Sequence, residues 1–343
     1  MSESAMSMAL RGSVVALIAS LLFCRAAISL GKNRDVAGKP TRRGQGRAST
    51  ISHLGGVAVA LAVVIALSWC SGGSAIFRSG AWQGWLLGSA WLLALGLIDD
   101  VVRELTPWIK GLGQLFAALI LMGSGVRIEI AALPSVINSL LTLLWLVGMA
   151  NAFNLLDIVD GLAATVAAVA ALALAVAAAW AGQAPLVLLA MSLVGALAAF
   201  LMFNWSPARL YMGNSGSQWL GFTLGMLALA ISYAPIGREV ALATPLLVLG
   251  LPLFDLAFVV WMRLRNGRSP FHKSRDHFAL RLLSTGSDAR KTALAMGALA
   301  AGFAVVGLFV SRAPNRAGAL AAAAMMAITL LWARRLARLP IHD

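Results

Sequence analysis

The stretch NAFNLLDIVDGLAA, Asn151 to Ala164, lies between two apolar runs, LLTLLWLVGMA before it and TVAAVAALALAVAAAWA after it. Runs of this kind are the raw material of membrane-crossing helices, which need about 20 apolar residues to span a bilayer. A carboxylate beside a bilayer costs free energy unless it is paired, hydrated or functionally required. Two amides and two carboxylates at three-residue intervals, placed between two such runs, therefore mark a junction between spans with a task of its own.

The rest of the chain agrees with that reading. Of 343 residues, 60% are hydrophobic and only 12% charged, with a mean hydropathy of +0.85. Apolar runs recur near residues 10–30, 54–70, 82–98, 111–124, 136–152, 161–181, 185–203, 217–233, 241–261, 292–310 and 317–333. The expected fold is all-α: one polytopic integral-membrane helix bundle of 10–11 transmembrane helices, a single domain over residues 1–343. The first run is followed by basic residues instead of a small-residue cleavage site, so it reads as a retained span. Ala-rich runs suit close helix packing in lipid. Cys24 and Cys70 lie in or beside apolar runs with no partner motif, which suggests neither a disulfide framework nor a metal site.

The net charge of +14 would suggest nucleic acid in a soluble protein. In a membrane protein it reads as basic loops held on the cytoplasmic side, with no nucleic-acid partner. If successive loops alternate sides, 20 Lys and Arg fall on one side, 6 on the other, and Arg25 lies within the first run. That bias predicts a bacterial inner-membrane protein with a periplasmic N-terminus and a cytoplasmic C-terminus.

All the polar motifs fall on the basic side. LGLIDD (95–100) delivers Asp99 and Asp100 to the mouth of the third span, with Lys110 ahead of the fourth. NAFNLLDIVDG supplies Asn151, Asn154, Asp157 and Asp160. YMGNSGS (211–217) adds Gly213, Asn214 and Ser215, and SPFHKSRDHFALRL (269–282) adds His272, Arg275, His277 and Arg281. Four loops on one face thus carry acids, amides, a glycine turn, His and Arg, and a cytoplasmic-face active site is expected. In an α-helix, residues three apart fan by about 60°, whereas a 3₁₀ turn would stack the four polar groups of the opening stretch on one face. Gly161 is then a plausible bend. Crowded carboxylates take up protons unless a cation neutralises them. Mg²⁺ commonly joins one or two carboxylates to a substrate phosphate. Metal-assisted phosphoryl chemistry is the reaction class this suggests.

In their order and wording, LGG (54–56), LGLIDD, NAFNLLDIVDGLA (151–163), FNWSPARLYMGNSGSQWLGF (203–222) and SPFHKSRDHFALRL resemble the polyprenyl-phosphate N-acetylhexosamine-1-phosphate transferases, over residues 35–283. The resemblance implies transfer of a sugar 1-phosphate from a UDP-sugar to undecaprenyl phosphate within membrane lipid, releasing UMP and starting a lipid-linked envelope glycan. It implies Mg²⁺, with Mn²⁺ as an alternative. It would place Asp99 and Asp100 at the metal and lipid phosphate, Asn154, Asp157 and Asp160 at the nucleotide sugar, and His277 with nearby Arg on the diphosphate. The candidates are therefore Asp99, Asp100, Asp157, Asp160 and His277 as catalytic residues, and Asp99, Asp100, Asn154 and Asn214 as metal ligands. Asn151, Asn154, Lys110, Gly213, Ser215, Arg275 and Arg281 are the candidate substrate contacts. A homodimer is carried as an assembly to test.

Two departures stand out. Asn214 occupies the place of the family's usual metal-binding Asp, and one histidine, His277, stands where a cluster is usual. They leave a catalytically impaired scaffold as an alternative. A secondary transporter is another, although its ionisable groups would lie near the bilayer midplane, where only Asp255 qualifies.

Overall fold

The computed structural model describes residues 3–31, 51–72, 74–233, 237–270 and 276–338. No strand occurs among them. Helices α1 (Glu3–Leu30), α2 (Gly55–Cys70), α3 (Gly80–Leu97) and α4 (Pro107–Gly123) come first. They are followed by α5 (Ser135–Leu156), α6 (Leu162–Trp180), α7 (Ala184–Asn204) and α8 (Gly213–Ala230). The chain ends with α9 (Thr244–Val248), α10 (Gly250–Arg265), α11 (Phe278–Ser284), α12 (Ala289–Arg312) and α13 (Asn315–Ala337).

Among the described residues, seven helices are long and apolar enough to cross a membrane. The segments Glu239–Val248 and Gly250–Arg265 would make an eighth span but are bent by 72° at their junction. α2 and α4 are shorter apolar helices. The protein is a polytopic helical membrane protein, and all eleven apolar runs of the sequence are helical, the ninth being broken.

Helix α1 shows why these sequences pack as they do. One face, buried, carries only small residues: Ala9, Gly12, Ala16, Ser20, Cys24 and Ala27. The opposite stripe, Met6, Leu10, Val14, Ile18 and Leu22, is exposed. A water-soluble helix would bury the large side chains. Lipid is as apolar as leucine, so burial there is decided by how closely backbones can approach. The approach is tight: a Cβ on Gly12 would lie 2.4 Å from Leu188 Cδ1, and one on Gly195 of α7 would lie 2.0 Å from the Ser13 carbonyl oxygen.

Helix α8 sits at the centre. It is buried on every face from Ser215 to Ala228 and packs against α2, α3, α5, α6 and α7. Glycines allow this too. A Cβ on Gly56 of α2 would lie 2.0 Å from Gly216 Cα, and one on Gly96 of α3 would lie 2.2 Å from Ser215 Cα. The glycines of LGG, LGLIDD and MGNSGS thus belong to one contact, which brings the start of α8 against the end of α3.

Candidate functional site

Helix α3 ends in a wide π-type turn, Ile98–Val102, closed by the Arg103 amide donating to the Ile98 carbonyl at 3.0 Å. Such turns recur at functional sites because they redirect side chains at a helix end. Here Asp99 and Asp100, both buried, find different partners. Asp99 Oδ1 accepts from the Leu105 amide at 2.7 Å, and its Oδ2 lies 2.6 Å from Lys110 Nζ. Lys110, expected as a substrate contact, is thus paired with Asp99 and not with Asp100.

Asp100 faces the start of α8. Its Oδ1 accepts from the Asn214 backbone amide and from Asn214 Nδ2, each at 2.9 Å. Its Oδ2 accepts from the Ser215 amide and Ser215 Oγ, each at 3.0 Å. A helix N-terminus leaves unpaired N–H groups and carries partial positive charge. The carboxylate from α3 meets both needs. Gly213 permits it: its φ is +75°, and a Cβ there would lie 2.4 Å from the His53 carbonyl oxygen and 2.6 Å from Asp100 Oδ2.

The network continues into α5. Asn154 Nδ2 donates to Asn214 Oδ1 at 2.8 Å and to Ser217 Oγ at 2.9 Å. One turn deeper, Asn151 Nδ2 donates to Gln114 Oε1 at 2.5 Å, and Gln114 Nε2 donates to Gln218 Oε1 at 2.9 Å. Asn151 is thereby engaged within the bundle.

Of the two geometries open to the opening stretch, the stacked 3₁₀ arrangement does not form. α5 stays helical through Leu156, because the amides of the next turn still find carbonyl acceptors, and the Asp157 amide donates to Phe153 O. The chain then turns at Gly161, φ +77°, as its position suggested. Asn204 holds the turn, accepting from the Gly161 amide at 2.9 Å while donating to Leu210 O at 2.9 Å. Asp160 Oδ2 accepts from the Ala208 amide at 3.1 Å, so it fastens this turn to the loop leading to α8. Asp157 is the half-buried residue at the end of α5.

His277 and Arg281 belong to a second, buried polar group around α11. His277 Nδ1 lies 3.3 Å from Asp255 Oδ2, and Asp255 Oδ1 accepts from the Phe278 amide at 2.9 Å. Asp255, the acid inside the ninth run, thus has partners in the bundle interior. Arg281 donates to Asp276 at 3.1 Å and to Leu336 O of α13 at 3.0 Å. Arg281 therefore closes α11 against α13. Arg275 and His272 lie outside the described residues.

Gln114, Gln218, Asn204 and His53 had not been singled out in the sequence. The signal for the first three was an amide inside or at the edge of an apolar run. His53 precedes the LGG motif and meets Tyr211 edge-on at 5.3 Å between ring centres.

The metal expected from the resemblance can be tested against these donors. Both oxygens of Asp100 accept two hydrogen bonds each, an N–H of Asn214 points at that carboxylate, and Asp99 is paired with Lys110. Among the described residues, no three His, Cys, Asp or Glu side chains converge on a cation position. As they stand, Asp99, Asp100, Asn154 and Asn214 do not fit a resident Mg²⁺ or Mn²⁺.

The polytopic helical bundle thus carries, at one end, a carboxylate–ammonium pair beside a clamped, glycine-rich helix start. Residues 82–232 match the model of glycosyl transferase family 4. A Bacillus subtilis (strain 168) protein named "probable undecaprenyl-phosphate N-acetylglucosaminyl 1-phosphate transferase" is 27% identical over 71% of this chain and 68% of its own length. A protein of Streptomyces coelicolor named as a glycosyltransferase is 33% identical over 76% of this chain and 62% of its own. The undecaprenyl-phosphate alpha-N-acetylglucosaminyl 1-phosphate transferase of Escherichia coli (strain K12) is 26% identical over 37% of this chain and 35% of its own length. The chain is thus similar to glycosyl transferase family 4 over residues 82–232 and to undecaprenyl-phosphate sugar-phosphate transferases over a longer stretch.

Proposed function

We propose that the protein transfers a sugar 1-phosphate, N-acetylhexosamine 1-phosphate, from a UDP-sugar to undecaprenyl phosphate at the cytoplasmic face of the inner membrane. The product is a lipid-linked diphosphate sugar that starts an envelope glycan, and UMP is released. The observation that carries this reading is the setting of the Asp99–Lys110 pair. Charged and largely buried, it is flanked by the exposed apolar side chains of Ile98, Val102, Trp108 and Leu112. A phosphate on a long isoprenoid chain fits that junction: the chain can lie against the apolar rim while its head reaches the ammonium group.

In this reading Lys110 holds the acceptor phosphate as a point charge. Asp99 positions that phosphate and takes its proton when the monoester arrives protonated. An acceptor oxygen attacks the β-phosphorus of the donor, the bond from that phosphorus to the bridging oxygen breaks, and UMP departs with the electron pair. Asp100 holds the start of α8, and Asp157, at the end of α5, faces the nucleotide sugar. Mg²⁺ or Mn²⁺ would accompany the donor's diphosphate, since the resting cluster has no place for it.

The test is transfer of label from UDP-N-acetylhexosamines, offered singly, to undecaprenyl phosphate by purified protein, with extraction of lipid-linked product. Asp99→Asn and Lys110→Met should each lower turnover by ~10²-fold or more, the usual loss when a group positioning reactants is removed. Near-normal turnover in both would overturn the assignment.

A further inference from the structure

At the end of the bundle opposite Asp99, the C-terminal ends of α6 and α12 and the segment after α8 enclose a cavity of about 170 Å³. Trp180, Ser232, Tyr233, Arg238, Ser311 and Arg312 supply its polar and aromatic lining. We infer that this cavity is a binding site for a phosphate anion, carried on the headgroup of an anionic phospholipid.

Charge is the first ground. The Arg312 guanidinium lies over the Trp180 ring, 4.8 Å from its centre, and Arg238 Nη1 donates to the Arg312 carbonyl at 2.7 Å. The carboxylate at this corner, Glu239, is held by Asn315 Nδ2 at 2.8 Å. Neither arginine has an ion-pair partner among the described residues, and Arg316 adds a further positive charge next to Asn315. Of the 6 basic residues on the sparsely charged side of the sequence, two (Arg238 and Arg312) line this cavity. Orientation by loop charge disfavours basic residues on that side, so a cluster of them needs a separate cause.

The second ground is independent of charge. The Tyr233 hydroxyl is buried and has no hydrogen-bond partner among the described residues. Buried polar atoms are nearly always satisfied, and an orphan calls for a partner that the protein itself does not supply. A phosphate oxygen would accept from Tyr233 and from the arginines together, in the planar geometry guanidinium groups favour.

Size is the third. The cavity holds roughly six waters at about 30 Å³ each. It is smaller than the ~300 Å³ at which pockets for drug-sized molecules begin, a size that suits a headgroup phosphate. An aromatic ring and arginines at helix ends place the cavity at the depth of the headgroups.

The test uses the full chain, purified without lipid and examined by native mass spectrometry and thermal unfolding. Phosphatidylglycerol, phosphatidylcholine and inorganic phosphate are added in separate arms. Phosphatidylglycerol should be retained as one tightly held molecule and raise the unfolding midpoint. Arg312→Gln and Tyr233→Phe should each weaken its retention by about tenfold, the worth of one hydrogen bond to a charged group. Tyr233→Phe removes only the orphan oxygen and keeps the proposal testable if the arginine variant does not fold. Displacement of the lipid by inorganic phosphate would support the site and assign recognition to the net anionic charge instead of the glycerol. Undiminished phosphatidylglycerol retention in folded Tyr233→Phe, or equal retention of phosphatidylcholine, would overturn the proposal.

Discussion

Asn214 shows how one amide can do the work expected of a cation. A carboxylate only accepts hydrogen bonds, so the atom that Asn214 turns toward Asp100 is its nitrogen, and its oxygen is left for Asn154. An Asp in that place would set two carboxylates within 2.9 Å of one another, an arrangement that demands a shared proton or a cation. Asn214→Asp is therefore expected to unfold at lower temperature in chelator, by ~1–3 kcal/mol for a buried carboxylate left unmatched, and to recover when Mg²⁺ is added. The parent protein should be indifferent to Mg²⁺ in the absence of donor; identical chelator sensitivity in the two proteins would contradict this account. The sequence made the residue types at the site legible. Asp99, Asp100, Lys110, Asn154, Asn214 and Ser215 do come together. Which of them face each other was not legible, because the π-type turn sends adjacent aspartates to different helices and no sequence period encodes that.

At the scale of elements, the glycines that bring α2 and α3 against α8 matter more than the cap residues of any one helix. Gly96→Ala would place a methyl group 2.2 Å from Ser215 Cα, against backbone that cannot rotate away. Overpacking of this kind costs ~1–3 kcal/mol, and here it also shifts the α8 start relative to Asp100. Activity of Gly96→Ala should fall by more than its loss of thermal stability accounts for. Gly148→Ala, where no neighbour lies within 4 Å, serves as the comparison and should leave both unchanged. The apolar runs gave every long helix, since hydropathy alone forces them. The bend between α9 and α10 and the short α11 escaped the same reading. The latter depends on tertiary partners: α11 is held through Asp255 on α10 and Leu336 on α13, residues distant from it in sequence. Removing that hold should loosen the element without touching the Asp99 pair. Asp255→Ala is expected to speed proteolytic cleavage between α10 and α12, and unchanged cleavage would assign the pair a role other than anchoring.

For the whole molecule, the proposed reaction requires the Asp99 end to face the cytoplasm, where nucleotide sugars are. In a background lacking Cys24 and Cys70, a cysteine replacing exposed Glu129 should react with an impermeant maleimide in intact cells. One replacing exposed Thr285, at the other end, should react only after permeabilisation. The opposite pattern would separate the site from its donor. The central place of α8 bears on how such a chain is made. α8 is 18 residues long yet falls outside the set of helices apolar enough to cross a membrane by themselves. Its first turns, GNSGSQ, are polar: the Asn214 and Ser215 amides donate to Asp100, while Ser217 Oγ and Gln218 Oε1 accept from Asn154 and Gln114, all of which lie earlier in the chain. During synthesis the helices that receive α8 therefore leave the ribosome before it does. Its entry into the bilayer becomes an act of docking onto a half-built bundle instead of partition into lipid. A ribosome-nascent chain truncated to begin at α7 should leave α8 outside the membrane, while the same helix made after α1–α7 should cross it.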